Sequence, residues 1–429
     1  MTPTADTDIT SLANGVRVLT IHAPQAATAS VSIFVRSGSA HESRALNGIS
    51  HVVEHMVFKG THSRDCRRIN VDAERLGAQV DAHTDKDHTA FHMRGLARHA
   101  PDFIAMLGDI VCQPTFPAAE LERERQVLLH EFVEDEDDPM SAAYKLFDSA
   151  CWGLHPVAQP VIGTRGNIEG FARDDLVACV QRQYTGANVV VAVAGPLGAD
   201  AALQHATAAF GALPRGSINA LLAPAYRGGV KTRALAGSSQ THLVLGFAIP
   251  GLQHDSAAHR VAAALFGEGM SSPLLAEIRE RRGLVYHAAC SADVMDASGQ
   301  FVIEASTSPE QLAELLDAVL ALLAQQASAI TPVDLERAHN QLAVRTLRAM
   351  ERPAHRLEDA ALDLFALGRV RAPAESLARM AEVTAADVQA VFAGLLASGA
   401  SLAVTGKVGR GVGQQLRDTL SRAGVAAGG

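Results

Sequence analysis

Residues 188–195 read NVVVAVAG and residues 401–406 read SLAVTG. Each is a short run of small and β-branched apolar side chains stopped by glycine, which reads as a buried strand. Ahead of the first lie runs at 16–21 and 29–35 bounded by Gly, Pro or Ser, a helical stretch from about Ile49, and a segment at 77–95. Helices are expected around 101–111 and 117–136, then a run of helix to Tyr184. Ahead of the second, the same order returns: a strand at 240–249, a helix over 255–266, strands at 285–290 and 300–307, and an apolar helix over 309–326. Another helix starts at Thr331 and Pro332, a capping residue followed by the residue best tolerated in a first turn. Repetition of one order of elements predicts an α+β fold of two homologous domains. The Pro/Gly/Ser-bearing stretch 211–229, GALPRGSINALLAPAYRGG, is the expected linker between an N-terminal domain, 1–210, and a C-terminal domain, 230–429.

A chain of 429 residues with 48% hydrophobic and 19% charged side chains can bury more than one core. The formal charge of −9, without a Lys/Arg-rich run, argues against nucleic acid as a partner. Residues 1–14, MTPTADTDITSLAN, have neither the pattern of a secretory signal nor that of a transit peptide, and no stretch has the length and apolarity of a membrane span. The five cysteines are scattered without a C-x-x-C pair. Reduced thiols and a cytoplasmic protein, with no membrane partner, are the expectation.

Residues 48–61 read GISHVVEHMVFKGT. On a helix His51 and His55 stand one above the other, so their imidazoles can share an ion, and Glu54 lies in the same arc without having to ligate. Two neutral nitrogen ligands, an open position and a neighbouring carboxylate base are what metal-assisted hydrolysis requires. The ordinary alternative, a pair of surface histidines, sits poorly with flanking Val52, Val53, Met56, Val57 and Phe58, which mark the helix as partly buried. A third ligand is needed, and the acidic stretch 120–136 offers several. Glu124 and Glu131 share a helix face but lie about 10.5 Å apart along the axis, so both cannot bind one ion. Spacing alone leaves the choice open.

With these motifs the sequence resembles the pitrilysin family of metallopeptidases, the inverzincins, and within it the short chains like the mitochondrial processing peptidase. Besides 48–61, the likeness is carried by GAQVDAHTDKDHTAF at 77–91, ERERQVLLHEF at 122–132, HPVAQPVIGT at 155–164 and GEGMSSPLLAEIRERRGLVY at 267–286. The resemblance selects Glu131, 76 residues beyond His55, as third ligand to one Zn2+ per chain, and Glu124 as a supporting carboxylate. It implies that Arg279 and Tyr286 reach the scissile peptide and that substrate lies along an edge strand at Asp81 and Ala82, where the family usually carries Asn-Ala. A further departure is Ser272-Pro273-Leu274 in place of Ser-Arg-Leu. His83, His88 and His92 lack the spacing of a second metal site and read as surface or packing side chains.

Where the first half has HVVEHM, the second has RVAAAL from Arg260, so only the N-terminal domain can hold metal. The implied activity is zinc-dependent endopeptidase cleavage of short unfolded peptides, with Glu54 as general base. Longer relatives form a clamshell from four such domains, so this chain is expected to supply half of one, closed by dimerisation with itself or with a sister chain. Two other readings stand beside it: a non-catalytic or partner-dependent subunit of a hetero-oligomeric peptidase, and a peptide-binding protein that holds metal.

Overall fold

In this computed structural model, which describes residues 7–254 and 257–427, the chain divides into two units, neither of them continuous in sequence. Residues 1–6 of the stretch read for a leader, and 255–256 of the helix expected over 255–266, lie outside the described residues.

The first unit takes the chain up to Phe132, then Gln159–Leu221 and Ala349–Val370. Its strands are β1 (Thr7–Ser11), β2 (Arg17–His22), β3 (Thr28–Val35), β4 (Gln79–Thr84), β5 (Thr89–Leu96) and β6 (Val189–Gly195), in the sheet order β1-β2-β6-β3-β5-β4. β6 runs parallel to β2, and the other neighbours are antiparallel. Side chains alternate along β6: Val189, Val191 and Val193 join a core with helices Ile49–Val57, Ala100–Cys112, Arg173–Gln183 and Ala199–Phe210. Val190, Ala192 and Ala194 instead meet Leu357, Ala361 and Leu364 of helix Pro353–Leu367. Cover on both faces explains why NVVVAVAG shows no polar alternation. Arg17 on β2 donates to the Leu364 carbonyl at 2.6 Å, in the last turn of that helix, where a cation is favoured.

The second unit comprises Val133–Ala158, Leu222–Arg348 and the chain from Arg371. Its sheet runs β7-β11-β8-β10-β9, formed by β7 (Gly229–Ala234), β8 (Thr241–Ile249), β9 (Val285–Val294), β10 (Gly299–Thr307) and β11 (Ser401–Gly406), with only β7 and β11 parallel. One face packs on helices Ala257–Gly267, Leu312–Ser328, Ala385–Ser398 and Val412–Arg422. On the other lies Pro139–Trp152, whose Phe147 ring comes so near Gly246 that a Cβ there would stand 2.5 Å from its Cζ. Leaving β1 aside, the two sheets have the same strand order, so the repeat read in the sequence is a repeat of topology.

Each sheet thus takes one covering helix from the other half of the sequence. The continuous run of helix expected up to Tyr184 is broken into Pro139–Trp152, Arg165–Gly170 and Arg173–Gln183, because Gly153 (φ 63°) ends the first and Pro156 and Pro160 occupy the turn beyond it. Among the described residues all five cysteines are free thiols. No single helix there is long and apolar enough to cross a membrane.

Candidate metal centre

The helix Ile49–Val57 is fixed at its start by Glu42, whose buried carboxylate accepts from the backbone N–H of Gly48 at 2.7 Å and of Ser50 at 2.8 Å, and from Asn47 Nδ2 at 3.0 Å. Those amides have no partner within the helix, and a carboxylate there also favours the helix dipole. Burial raises the Glu42 pKa from its ordinary value, against these hydrogen bonds. Gly48 (φ 98°) begins the helix in the left-handed region and packs on Gly163 (φ 82°), where a Cβ would stand 2.6 Å from the Asn47 carbonyl oxygen. Gly163→Ala therefore combines a disfavoured backbone with a backbone clash. It should destabilise the protein by on the order of 2–4 kcal/mol, read from denaturant unfolding.

With the helix held, His51 and His55 face the same way, their ring centroids 4.7 Å apart. Glu131, on helix Ala118–Asp137, places Oε2 at 3.6 Å from His55 Nε2 and 3.9 Å from His51 Nε2. Ligands bonded to one tetrahedral zinc at about 2.0–2.2 Å stand roughly 3.4 Å from each other, so this donor set fits zinc with little adjustment. Burial, and then neighbouring His55, push the His51 imidazole down to about 4, which leaves it neutral as a ligand must be. The Nδ1 of His51 is buried without a hydrogen-bond partner among the described residues.

Glu124 lies 2.9 Å from His55 Nδ1, and its other oxygen 2.6 Å from Lys59 Nζ. Burial alone would raise its pKa, but Lys59 and His55 outweigh it and hold Glu124 ionised. As an ionised carboxylate can only accept, Nδ1 carries the proton and the lone pair of Nε2 is turned toward Glu131. Glu124→Gln should weaken zinc binding by about 10–100-fold, measured by competition with a chromophoric chelator.

Glu54 sits beside the cluster, and its Oε2 accepts from Thr84 Oγ1 at 2.7 Å. Burial raises the Glu54 pKa, with the Thr84 hydroxyl opposing. Thr84 escaped sequence reasoning because a threonine in a strand carries no functional signal. Asp81 and Ala82 lie on the same strand, β4, which is the sheet edge. The Asp81 carboxylate accepts from the Ala82 N–H at 3.0 Å.

In the second unit, Arg279 belongs to the π-helical turn Ala276–Arg281, and its guanidinium lies 5.5 Å from the centroid of the Tyr286 ring. Read from its surroundings alone Tyr286 would be a core strand residue, yet it is 84% exposed near the start of β9. Ser272, in the departure from Ser-Arg-Leu, caps the short helix Pro273–Leu275.

His88 and His92 are packing side chains against Phe34, and His83 is partly exposed, in keeping with their reading as surface or packing histidines; what spacing did not anticipate is a shared partner. His88 and His92 are buried, and His83 and His88 converge on Glu358, a residue too remote in sequence for any spacing rule to connect.

The family described as insulinase (peptidase family M16) matches residues 17–165, and the peptidase M16 inactive domain matches 170–342. An uncharacterized zinc protease of Mycobacterium leprae is 31% identical over 411 residues, spanning 92% of this chain and 91% of that one. A second, from Rickettsia felis, is 28% identical over 383 residues, 89% of this chain and 93% of its own. The crystal structure of a protease from Helicobacter pylori superimposes with a TM-score of 0.86 at 19% identity, covering 94% of this chain and all of that one, which speaks to the fold alone. The two domain matches correct the expectation that this chain is half of a clamshell closed by dimerisation. One chain already carries both family domains, and its two units each have their own sheet and core, so the second domain need not come from another copy. With both domains matched in order and a His51, His55 and Glu131 cluster compatible with zinc, the chain belongs to the insulinase family of peptidases, family M16.

Proposed function

We propose that this chain is a zinc-dependent endopeptidase acting on short, unfolded peptides, with Glu54 as general base and one zinc at His51, His55 and Glu131. The observation that carries the reading is the placing of Glu54. Its Oε2 is committed to the Thr84 hydroxyl at 2.7 Å, which steers the carboxylate beside the ligand cluster and leaves Oε1 to take a proton from water. Zinc, when bound, supplies a Lewis acid that acidifies water and polarises a peptide carbonyl. Glu54, its pKa raised by burial, is suited both to accept the water proton and to return it to the leaving amine.

The edge position of β4 supports an extended peptide adding to it by main-chain hydrogen bonds. The Asp81 carboxylate would then give up the Ala82 N–H to a substrate carbonyl. Arg279 and Tyr286 keep the role the resemblance gives them, as donors to a bound peptide. The likeness to the mitochondrial-processing-peptidase branch stays part of this proposal, resting on the sequence motifs. So does a reducing compartment such as the cytoplasm, which suits five free cysteines.

The test is cleavage of a quenched mixed-peptide library by the purified chain, beside a chelated sample and one with zinc restored. Cleavage lost on chelation and regained with zinc is expected. A chain that binds zinc at this centre and cuts nothing would overturn the reading and favour a non-catalytic or partner-dependent subunit, or the metal-holding peptide binder.

A further inference from the structure

Successive side chains of a strand point to opposite faces, so His83 lies across β4 from Thr84 and Glu54, on the face covered by helix Pro353–Leu367. There His83 Nε2 is 3.1 Å from Glu358 Oε1, His88 Nε2 is 3.5 Å from the same oxygen, and the two Nε2 atoms are 3.3 Å apart. Three atoms at such separations lie on a circle of about 1.9 Å radius, and an ion bonded to all three at about 2.0–2.1 Å would stand less than about 1 Å above their plane, with a fourth position open. A single proton can bridge only one edge of this triangle at a time, whereas one cation serves all three corners.

The surroundings are those of a metal site. The Asp87 carboxylate lies 2.8 Å from His88 Nδ1, the outer partner that turns an imidazole's Nε2 toward an ion. His83 Nδ1 is 3.3 Å from His92 Nε2, and His92 Nδ1 is 2.8 Å from Ser32 Oγ, so the second imidazole is held from behind as well. The side chain of His88 is 3% exposed while those of His83 and Glu358 are 38% and 29% exposed, so an ion has a route in.

We propose that His83, His88 and Glu358 form a second site for a divalent transition-metal ion of the zinc type, separate from the centre at His51, His55 and Glu131, which fastens helix Pro353–Leu367 to the edge strand β4. The expected content is two ions per chain instead of the one implied by the resemblance. The proposal does not depend on peptidase activity. An ion here holds the strand from behind, and because the three donors come together only in the folded chain it stabilises that chain.

The test counts zinc by elemental analysis after gel filtration in zinc-buffered solution. His51→Ala/His55→Ala vacates the first centre and leaves every atom of the second in place. This variant should retain one ion per chain, release protons as zinc is added, and show the intense visible absorption of tetrahedral cobalt when cobalt replaces zinc. Adding His83→Ala and Glu358→Gln to it should abolish both the bound ion and the cobalt band. The same pair in the otherwise wild-type chain should retain one ion, at the first centre, with an unchanged circular dichroism spectrum. Zinc absent from the His51→Ala/His55→Ala variant, or still bound after the His83→Ala and Glu358→Gln changes, would overturn the proposal and leave the triangle as a hydrogen-bonded ion-pair network. Failure of the peptide-library assay would leave the ion count untouched, so the two readings fail separately.

Discussion

Glu54→Gln is expected to leave zinc bound at full occupancy and to lower kcat for peptide cleavage by about 10²–10⁴-fold, the usual contribution of general acid–base catalysis. Glutamine keeps the shape of the side chain and an oxygen to accept from Thr84, so helix and strand retain their contact. What it loses is the capacity to take a proton. Since Glu54 is not among the three grouped ligand residues, zinc affinity should hold within a few fold. The informative measurement pairs kcat with zinc content on one preparation. Loss of both would make Glu54 a ligand, and preservation of both would place the base elsewhere.

Glu131→Ala should do the reverse, emptying the centre first. Its Oε2 faces the Nε2 atoms of both histidines at 3.6 and 3.9 Å, and alanine leaves only two donors. Cleavage should fall by about 10³-fold or more, since a Lewis acid supplies several kcal/mol of transition-state stabilisation. Zinc measured after dialysis against a weak chelator should fall by the ion of this centre. Glu122→Ala on the same helix is the control. That side chain is exposed and pairs with Arg125, so its removal costs an exposed ion pair and should alter neither zinc content nor rate. Equal effects of the two substitutions would sink the assignment of Glu131.

Much of this centre was legible because its first part is local. Two histidines four apart on an apolar-flanked helix must share a face, and a glutamate between them must lie close. The third carboxylate was not legible from spacing, and the geometry shows why both Glu124 and Glu131 looked plausible. Two turns apart on one helix, they approach opposite nitrogens of the same His55 ring, Glu124 at Nδ1 and Glu131 at Nε2. Axial distance excludes joint ligation but cannot say which carboxylate meets which nitrogen. Thr84 and Glu358 were invisible for another reason: their roles come from pairing and packing, and nothing in their neighbours in sequence differs from an ordinary strand or an amphipathic helix.

For the fold, the runs at 188–195 and 401–406 anticipated β6 and β11, and the repeated order of elements anticipated a shared topology. The assignment of helices Pro139–Trp152 and Pro353–Leu367 to their sheets was out of reach. Periodicity reports which side of a helix is apolar, not which sheet will cover it.

That exchange of covering helices bears on how the chain is made. During synthesis from the N-terminus, the outer face of β6, β3 and β2 is complete once Gly195 has emerged, but its cover, Leu357 to Phe365, has yet to be translated. Through that interval the nascent chain carries an oily surface with no partner of its own, of the sort that recruits holdases or drives clumping on crowded ribosomes. A message cut short after residue 221 would release a fragment unable to finish its first unit, since the Ala349–Val370 segment is missing. Supplying helix Pro353–Leu367 as a separate peptide should rescue such a fragment in solution, so the break point of a split reporter is better placed beyond Val370 than at the apparent midpoint of the gene.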